Sequence, residues 1–81
     1  MYLAFSSKPI CALSSLAPGE SGVVVSIEEV EDGRAARLYA VGVTPGAPIT
    51  VLQTCPGIVF LCDQTELAVE RVVAAAIVVQ R

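Results

Sequence analysis

The stretch PGAPITVLQTCPGIVFL, residues 45–61, decides the fold. It contains two Pro-Gly pairs, and a run rich in β-branched residues follows each pair, ITVL at 49–52 and IVFL at 58–61. Proline presets φ at the second position of a turn, and glycine accepts the positive φ that a type II turn needs at the third. β-Branched residues favour strands. The stretch therefore predicts two short strands, each entered through a tight turn.

The same pattern occurs nearer the N-terminus. Pro18-Gly19 is followed by the run VVVSI at 23–27, which we interpret as a further strand. Strands separated by turns at such short intervals are typical of a small barrel or sandwich.

The C-terminal part predicts a strand, a turn and a strand. Residues 66–70 alternate weakly between polar and apolar, 71–75 have the composition of one helical turn, and 76–80 form a β-branched closing run. One helix over 66–76 is the alternative, because alanine and glutamate favour helices.

One segment, from Arg34 to Val41, predicts a short α-helix. It is rich in helix formers, and it places Leu38 and Val41 on one face at i, i+3 spacing. Asp32 stands where an N-cap would lie, and Gly42 stands where a helix end needs a left-handed residue.

The pairing of the two central strands can be predicted from their turn. If Pro56-Gly57 is the centre of a hairpin, Val51 faces Cys62. Cys55 and Cys62 then lie apart, which argues against a disulfide between them. Both faces of the hairpin carry apolar side chains, so one face lines the core and the other must be covered.

Length and composition predict a single globular domain. The chain has 81 residues, of which 54% are hydrophobic and 16% charged, whereas disordered chains have low hydrophobicity and high charge. An apolar fraction this high in a small domain predicts apolar surface that covers a partner or a second copy of the chain. We therefore expect self-association.

Charge and hydropathy exclude several function classes. The net charge of −3 with five lysines and arginines argues against nucleic acid and against anionic membrane surfaces. Residues 38–62 carry no charge, but Pro45, Pro48 and Pro56 within them exclude a membrane-spanning helix. The N-terminus has no basic start followed by a long apolar region, so a cytoplasmic location is expected.

The residues offer little catalytic chemistry. The chain has no histidine, the usual base for a serine or cysteine nucleophile. No catalytic residue and no cofactor are therefore expected. The alternative function is metal binding or metal sensing, with Cys55, Cys62, Glu31 and Asp32 as candidate ligands, although this set matches no standard zinc or calcium spacing.

The segment 37–51, with the pattern R-L-x-x-x-G-V-x-P-G-x-x-I-x-V, resembles the central motif of the FeoA family. Residues 13–24 and 71–79 are similar to the opening and closing patterns of that family. The resemblance implies a mainly β fold, a small SH3-like β-barrel with one short α-helix around Arg34 to Val41. It divides the chain into an N-terminal leader, 1–12, and a barrel domain, 13–81.

The resemblance also implies a function. FeoA proteins are cytosolic, non-catalytic accessories of ferrous iron uptake, with a FeoB-type membrane transporter that carries a GTP-binding domain as the expected partner. Alternatives are the metal-binding domain above and a nucleic-acid-binding SH3-like barrel, against which the acidic balance counts. The candidate partner-binding residues are those of the central motif: Arg37, Leu38, Tyr39, Gly42, Val43, Pro45 and Gly46.

Overall fold

A computed structural model describes residues 10–28 and 33–81, with only the backbone of Arg34 described. In the described part, the fold is mainly β, as predicted. The strands are β1 (Ile10–Ala12), β2 (Ser21–Ile27), β3 (Pro48–Gln53), β4 (Ile58–Cys62), β5 (Thr65–Val69) and β6 (Ile77–Gln80). Two short helices, α1 (Arg34–Ala40) and α2 (Arg71–Ala74), and a 3-10 turn (Leu13–Ser15) complete it.

The six strands form one antiparallel sheet in the order β1-β6-β2-β3-β4-β5. The inner strands and both helices, with Leu13, Leu16 and Val43 from the connections, supply the buried apolar core, whose largest side chain is Phe60 at 0% exposed. The edge strands contribute only partly buried side chains, Cys11 from β1 and Leu67 and Val69 from β5. The core is therefore centred on the four inner strands.

Two of the three predicted Pro-Gly turns are confirmed. At Pro45-Gly46, the glycine has a φ of 95°, and the Ala47 N–H donates to the Thr44 carbonyl at 2.9 Å. At the earlier pair, Gly19 has a φ of 91°. The positive φ at the third position is the type II requirement that favours glycine there.

The third pair does not form the predicted turn, and the predicted register of its hairpin is wrong. Gly57 does not adopt a positive φ, and Val51 pairs with Phe60 instead of Cys62. A bulge at Leu52 adds one unpaired residue, and the connection widens to residues 54–57. The register moves by two residues, so each side chain keeps its predicted face.

Helix α1 is confirmed, with a different buried face. Ala35 and Leu38 are buried, whereas Val41 is 49% exposed because the helix ends before it. Gly42 has the predicted left-handed conformation, with a φ of 102°. Asp32, the predicted N-cap, lies outside the described residues.

The C-terminal strand, turn and strand are confirmed as β5, α2 and β6, and the alternative of one helix over 66–76 is wrong. At the other end, β1 pairs with β6 from Ile10 onward. The sheet thus begins three residues before the predicted domain boundary at residue 13. Neither helix of the described ranges has the length and apolar character needed to cross a membrane.

Candidate functional site

The segment after α1 is held rigidly by backbone hydrogen bonds. The Val43 N–H donates to the Leu38 carbonyl at 3.0 Å and closes the helix end. In the following turn, the Gly46 N–H donates to the Val24 carbonyl at 2.8 Å, and Val24 donates in return to Ala47 at 2.9 Å. These bonds fix the motif segment against β2, so its exposed side chains have a defined position.

The structure divides the candidate partner-binding residues into two groups. Leu38 and Val43 are buried in the core, at 7% and 0% exposed. The other five are exposed and form the motif surface: Arg37, Tyr39, Gly42, Pro45 and Gly46. The buried pair anchors this surface, and the exposed members are available for contact.

The cysteine candidates do not come together. Cys62 is buried at the end of β4, and its thiol donates to the Gly42 carbonyl at 3.6 Å. Burial, with the neighbouring Asp63 charge, raises the pKa of Cys62, so this thiol is a poor source of thiolate at neutral pH. Cys55 is exposed in the loop before β4. Glu31, the acidic candidate beside Asp32, lies with it outside the described residues.

Metal-ligating side chains are not clustered in the described ranges. No group of three or more cysteine, aspartate or glutamate side chains there is placed to hold a metal ion. All three cysteines are free thiols. The geometry therefore gives the metal-binding alternative no assembled ligand set among residues 10–28 and 33–81.

Two open cavities flank the end of β5. One, of about 360 Å³, lies between α1 and β5 and is lined by Arg37, Leu38, Ala68, Val69, Glu70 and Val73. The other, of about 530 Å³, is lined by Pro56, Gly57, Ala68, Val69, Glu70 and Arg71. Residues 68–70 form the ridge between them. Sequence reasoning missed this ridge, because its only signal was the weak alternation of a predicted strand.

The second cavity is bounded by a fixed loop. The Arg71 guanidinium donates to the Thr54 carbonyl and holds the connection between β3 and β4 against α2. The Arg37 guanidinium, in contrast, forms no hydrogen bond or ion pair with any described residue. The first cavity is therefore lined by one cation without an ion-pair partner among the described residues, Arg37, and by one carboxylate, Glu70.

The outer face of the sheet carries exposed apolar side chains on β1 and β2, with a polar residue of β6 between them. Ile10 on β1 pairs with Gln80 on β6, which pairs with Val23 on β2. Ile10 is 60% exposed, Val23 is 44% exposed, and Val25 on the same strand is also exposed. This surface agrees with the high apolar fraction, and self-association through it stays a prediction.

A family model of the FeoA domain matches residues 11–81. The chain belongs to the FeoA family. The match includes both the motif surface and strand β5, so the site described above lies within the family domain. The sequence-based resemblance is thereby confirmed. A comparison with curated proteins gave no match.

Solved structures agree with this assignment. An iron uptake regulatory FeoA protein is 30% identical, with a TM-score of 0.78, and the match covers 89% of this chain and 96% of that one. FeoA from Chlorobium tepidum is also 30% identical, with a TM-score of 0.79, and 85% and 68% are covered.

FeoA from Stenotrophomonas maltophilia, complexed with zinc, is 25% identical, with a TM-score of 0.76, and 85% of this chain and 88% of that one are covered. It is described as a prokaryotic SH3 domain protein, with a suggested role as a bacterial ferrous iron transport activating factor. The predicted SH3-like class of the fold is therefore confirmed.

Proposed function

We propose that this FeoA protein is a non-catalytic accessory of ferrous iron uptake that binds the cytoplasmic part of a FeoB-type membrane transporter and modulates it. The observation that carries the proposal is the FeoA family match over residues 11–81. The suggested role of the Stenotrophomonas maltophilia relative as a transport activating factor supports it.

The motif surface supports docking. Tyr39 is 42% exposed on α1, and aromatic residues are enriched among the anchors of protein interfaces. Arg37 lies two residues earlier on the helix and offers a cation to an acidic partner surface. Backbone hydrogen bonds already fix the helix end and the turn. Little conformational entropy is therefore lost when a partner binds.

The chemistry of the described residues also favours a binding role. The Cys62 thiol is engaged with a backbone carbonyl, and its raised pKa disfavours the thiolate. The sequence contains no histidine to activate a nucleophile. A protein of this kind acts by contact, so we expect no turnover by the isolated chain.

Binding to the transporter from the same organism, reconstituted in lipid nanodiscs, tests the proposal. We expect saturable binding and a change in GTP hydrolysis or in iron uptake when the chain is added. Tyr39→Ala should weaken binding at least about fivefold, as for an interface anchor. Leu52→Ala is the matched control, because Leu52 is 44% exposed on a different part of the sheet.

Absence of saturable binding, or equal effects of the two substitutions, would contradict the proposal. Titration of zinc or ferrous iron into the reduced protein tests the metal-binding alternative. Stoichiometric binding below millimolar that is lost in Cys55→Ser would restore that alternative.

A further inference from the structure

Strand β5 is an edge of the sheet, and the direction of its backbone groups can be assigned. In an antiparallel pair, alternate residues turn both backbone groups towards the neighbouring strand. The Asp63 N–H after β4 donates to the Pro48 carbonyl of β3 at 3.1 Å. The direction of the backbone groups alternates from residue to residue, so an odd number of steps reverses it. Phe60 lies three residues before Asp63 and therefore directs its N–H and C=O groups towards β5.

Phe60 is the register partner of Leu67. Leu67 therefore directs its N–H and C=O groups towards β4, whereas Glu66 and Ala68 direct theirs away from the sheet. A close approach agrees, since a β-carbon on Gly57 would lie 3.2 Å from the Val69 carbonyl oxygen, which thus points back towards the β4 side.

The outward groups of β5 have no partner in the described part of the chain. No backbone hydrogen bond from another described segment reaches Glu66 or Ala68. Both residues are exposed. An unpaired strand edge of this kind is a template on which an extended peptide can add.

The cavity beside this edge has the walls such a peptide needs. It lies between β5 and α1, with buried Leu38 and Val73 as its apolar lining, Arg37 on the α1 side and Glu70 at the end of β5. The Arg37 guanidinium has no ion pair among the described residues. An incoming carboxylate is therefore the complementary group for this wall.

We propose that β5 and the adjoining cavity are the docking site for an extended segment of the partner protein that carries apolar and acidic side chains. The segment adds to the sheet as a strand, forms hydrogen bonds with the backbone of Glu66 and Ala68, and places a carboxylate on Arg37. This inference rests on the proposed function, because it identifies the surface through which the transporter is bound.

Ala68→Pro tests the backbone contact. Proline removes the outward N–H, and edge strands tolerate proline where the N–H faces solvent. We expect the dissociation constant for the nanodisc-reconstituted transporter to rise by at least about tenfold, the effect of losing about 1.4 kcal/mol.

Ala12→Pro on the opposite edge is the matched control. The Glu28 N–H donates to the Ala76 carbonyl at 2.8 Å, so Ala76 faces β2 and, by alternation, Val79 faces β1. Cys11, the register partner of Val79, therefore faces β6, and the next residue, Ala12, directs its backbone groups outward. Ala12 has a φ of −79°, which proline accepts. The dissociation constant of this variant should stay within about twofold of the wild-type value, whereas a loss of about 1.4 kcal/mol would raise it tenfold.

Arg37→Ala tests the charged contact with the folded chain. It should weaken binding about fivefold at low salt and flatten the salt dependence of association. Arg81→Ala, which removes the same charge at the other end of the sheet, should leave the salt dependence unchanged.

Hydrogen exchange of the wild-type chain gives a readout that needs no variant. The Ala68 amide should exchange at least about tenfold more slowly in the complex, because strand addition hydrogen-bonds it. If Ala68→Pro does not fold, this protection decides the question.

The outcomes separate the two proposals. No wild-type binding overturns the proposed function and, with it, this inference. Binding without protection of Ala68, or with full affinity in the folded Ala68→Pro variant, overturns the inference alone. Protection of Ala68 in the isolated chain that grows with concentration assigns the edge to a second copy of this chain, and also overturns it.

Discussion

The two edges of the sheet are built differently. Strand β1 has three residues, and the Ser15 hydroxyl donates to its outward Ala12 carbonyl at 2.7 Å. Strand β5 has five residues, and none of the other described segments hydrogen-bonds to the outward backbone of Ala68. Natural sheets shorten or cover their edges to prevent unwanted pairing. One edge is thus protected, and the other is left open beside a cavity.

The difference indicates where this small domain keeps surface for a partner. Strand β1 is kept short and one of its outward carbonyls is hydrogen-bonded to a nearby hydroxyl. The same two features could limit pairing at β5, but β5 has neither in the described part of the chain. The open edge coincides with the cation of α1 that has no ion pair among the described residues. The unpaired strand edge and the unpaired cation each lower stability or solubility, and they lie side by side. Their proximity favours a role for this edge in binding.

The largest expected effect shows that both edges depend on one core. Phe60→Ala, in the strand beside β5, should lower the free energy of unfolding by about 3–5 kcal/mol, and Ile77→Ala, beside β1, by about 2–5 kcal/mol. Both side chains are 0% exposed. Urea denaturation measures both losses. A loss below about 1 kcal/mol for Phe60→Ala would show that β4 and β5 are not part of the common core.

The next effect compares two glycines, one near each edge of the sheet, whose backbone lies close to a neighbouring strand. A β-carbon on Gly22 would lie 2.9 Å from the Gln80 carbonyl oxygen, so Gly22→Ala forces backbone movement between β2 and β6. We expect a loss of about 1–3 kcal/mol. On the β5 side, the nearest approach to Gly57 is 3.2 Å, and Gly57→Ala should cost less. Thermal unfolding of both variants would contradict this order if Gly57→Ala were the more destabilised.

A smaller effect tests the protection of β1. Ser15→Ala removes the hydroxyl that binds the Ala12 carbonyl and should cost about 0.5–1.5 kcal/mol, as for one hydrogen bond. Ser14→Ala is the neighbouring control and should be close to neutral. Urea denaturation compares them, and equal stabilities would show that the hydroxyl bond contributes nothing to the β1 edge.

The smallest effect is pH-dependent and lies at the protected side of the sheet. The Ala17 N–H and the Arg81 guanidinium lower the pKa of Glu20, to which they donate hydrogen bonds at 2.8 and 2.5 Å. A carboxyl with a lowered folded-state pKa adds stability above its unfolded pKa, and this stability is lost as pH falls through the folded value.

The stability difference between wild type and Glu20→Gln should therefore be fully present at pH 7 and shrink as pH falls below about 4.3, the ordinary pKa of glutamate. Glu66→Gln on the open edge controls for the change in net charge. Unfolding curves at a series of pH values measure the difference, and a difference that did not shrink as pH fell below about 4 would contradict the assignment.

The parts of the fold that sequence predicts are local. Gly19, Gly42 and Gly46 each need a positive φ, and a glycine beside a proline or after a helix-forming run indicates it directly. The helix from Arg34 could be predicted for the same reason, because its composition and its glycine stop lie within ten residues of one another.

The parts that sequence could not predict depend on distant contacts. The register of β3 and β4 depends on a bulge at Leu52 and on a loop that Arg71 holds from farther along the chain. The three-residue β1 exists only because β6 pairs with it. The cavity beside β5 has walls from α1 and α2, and no local pattern joins them.

The pairing of β1 with β6 has a consequence for protein engineering. Ile10 and Gln80 are register partners on neighbouring strands, so their Cα atoms lie within about 5.5 Å. A short glycine-rich linker can therefore join the first strand to the last, and new termini can be opened between the exposed residues Cys55 and Pro56 of the loop before β4. A domain with adjacent ends can also be inserted into a loop of a host protein without pulling that loop apart.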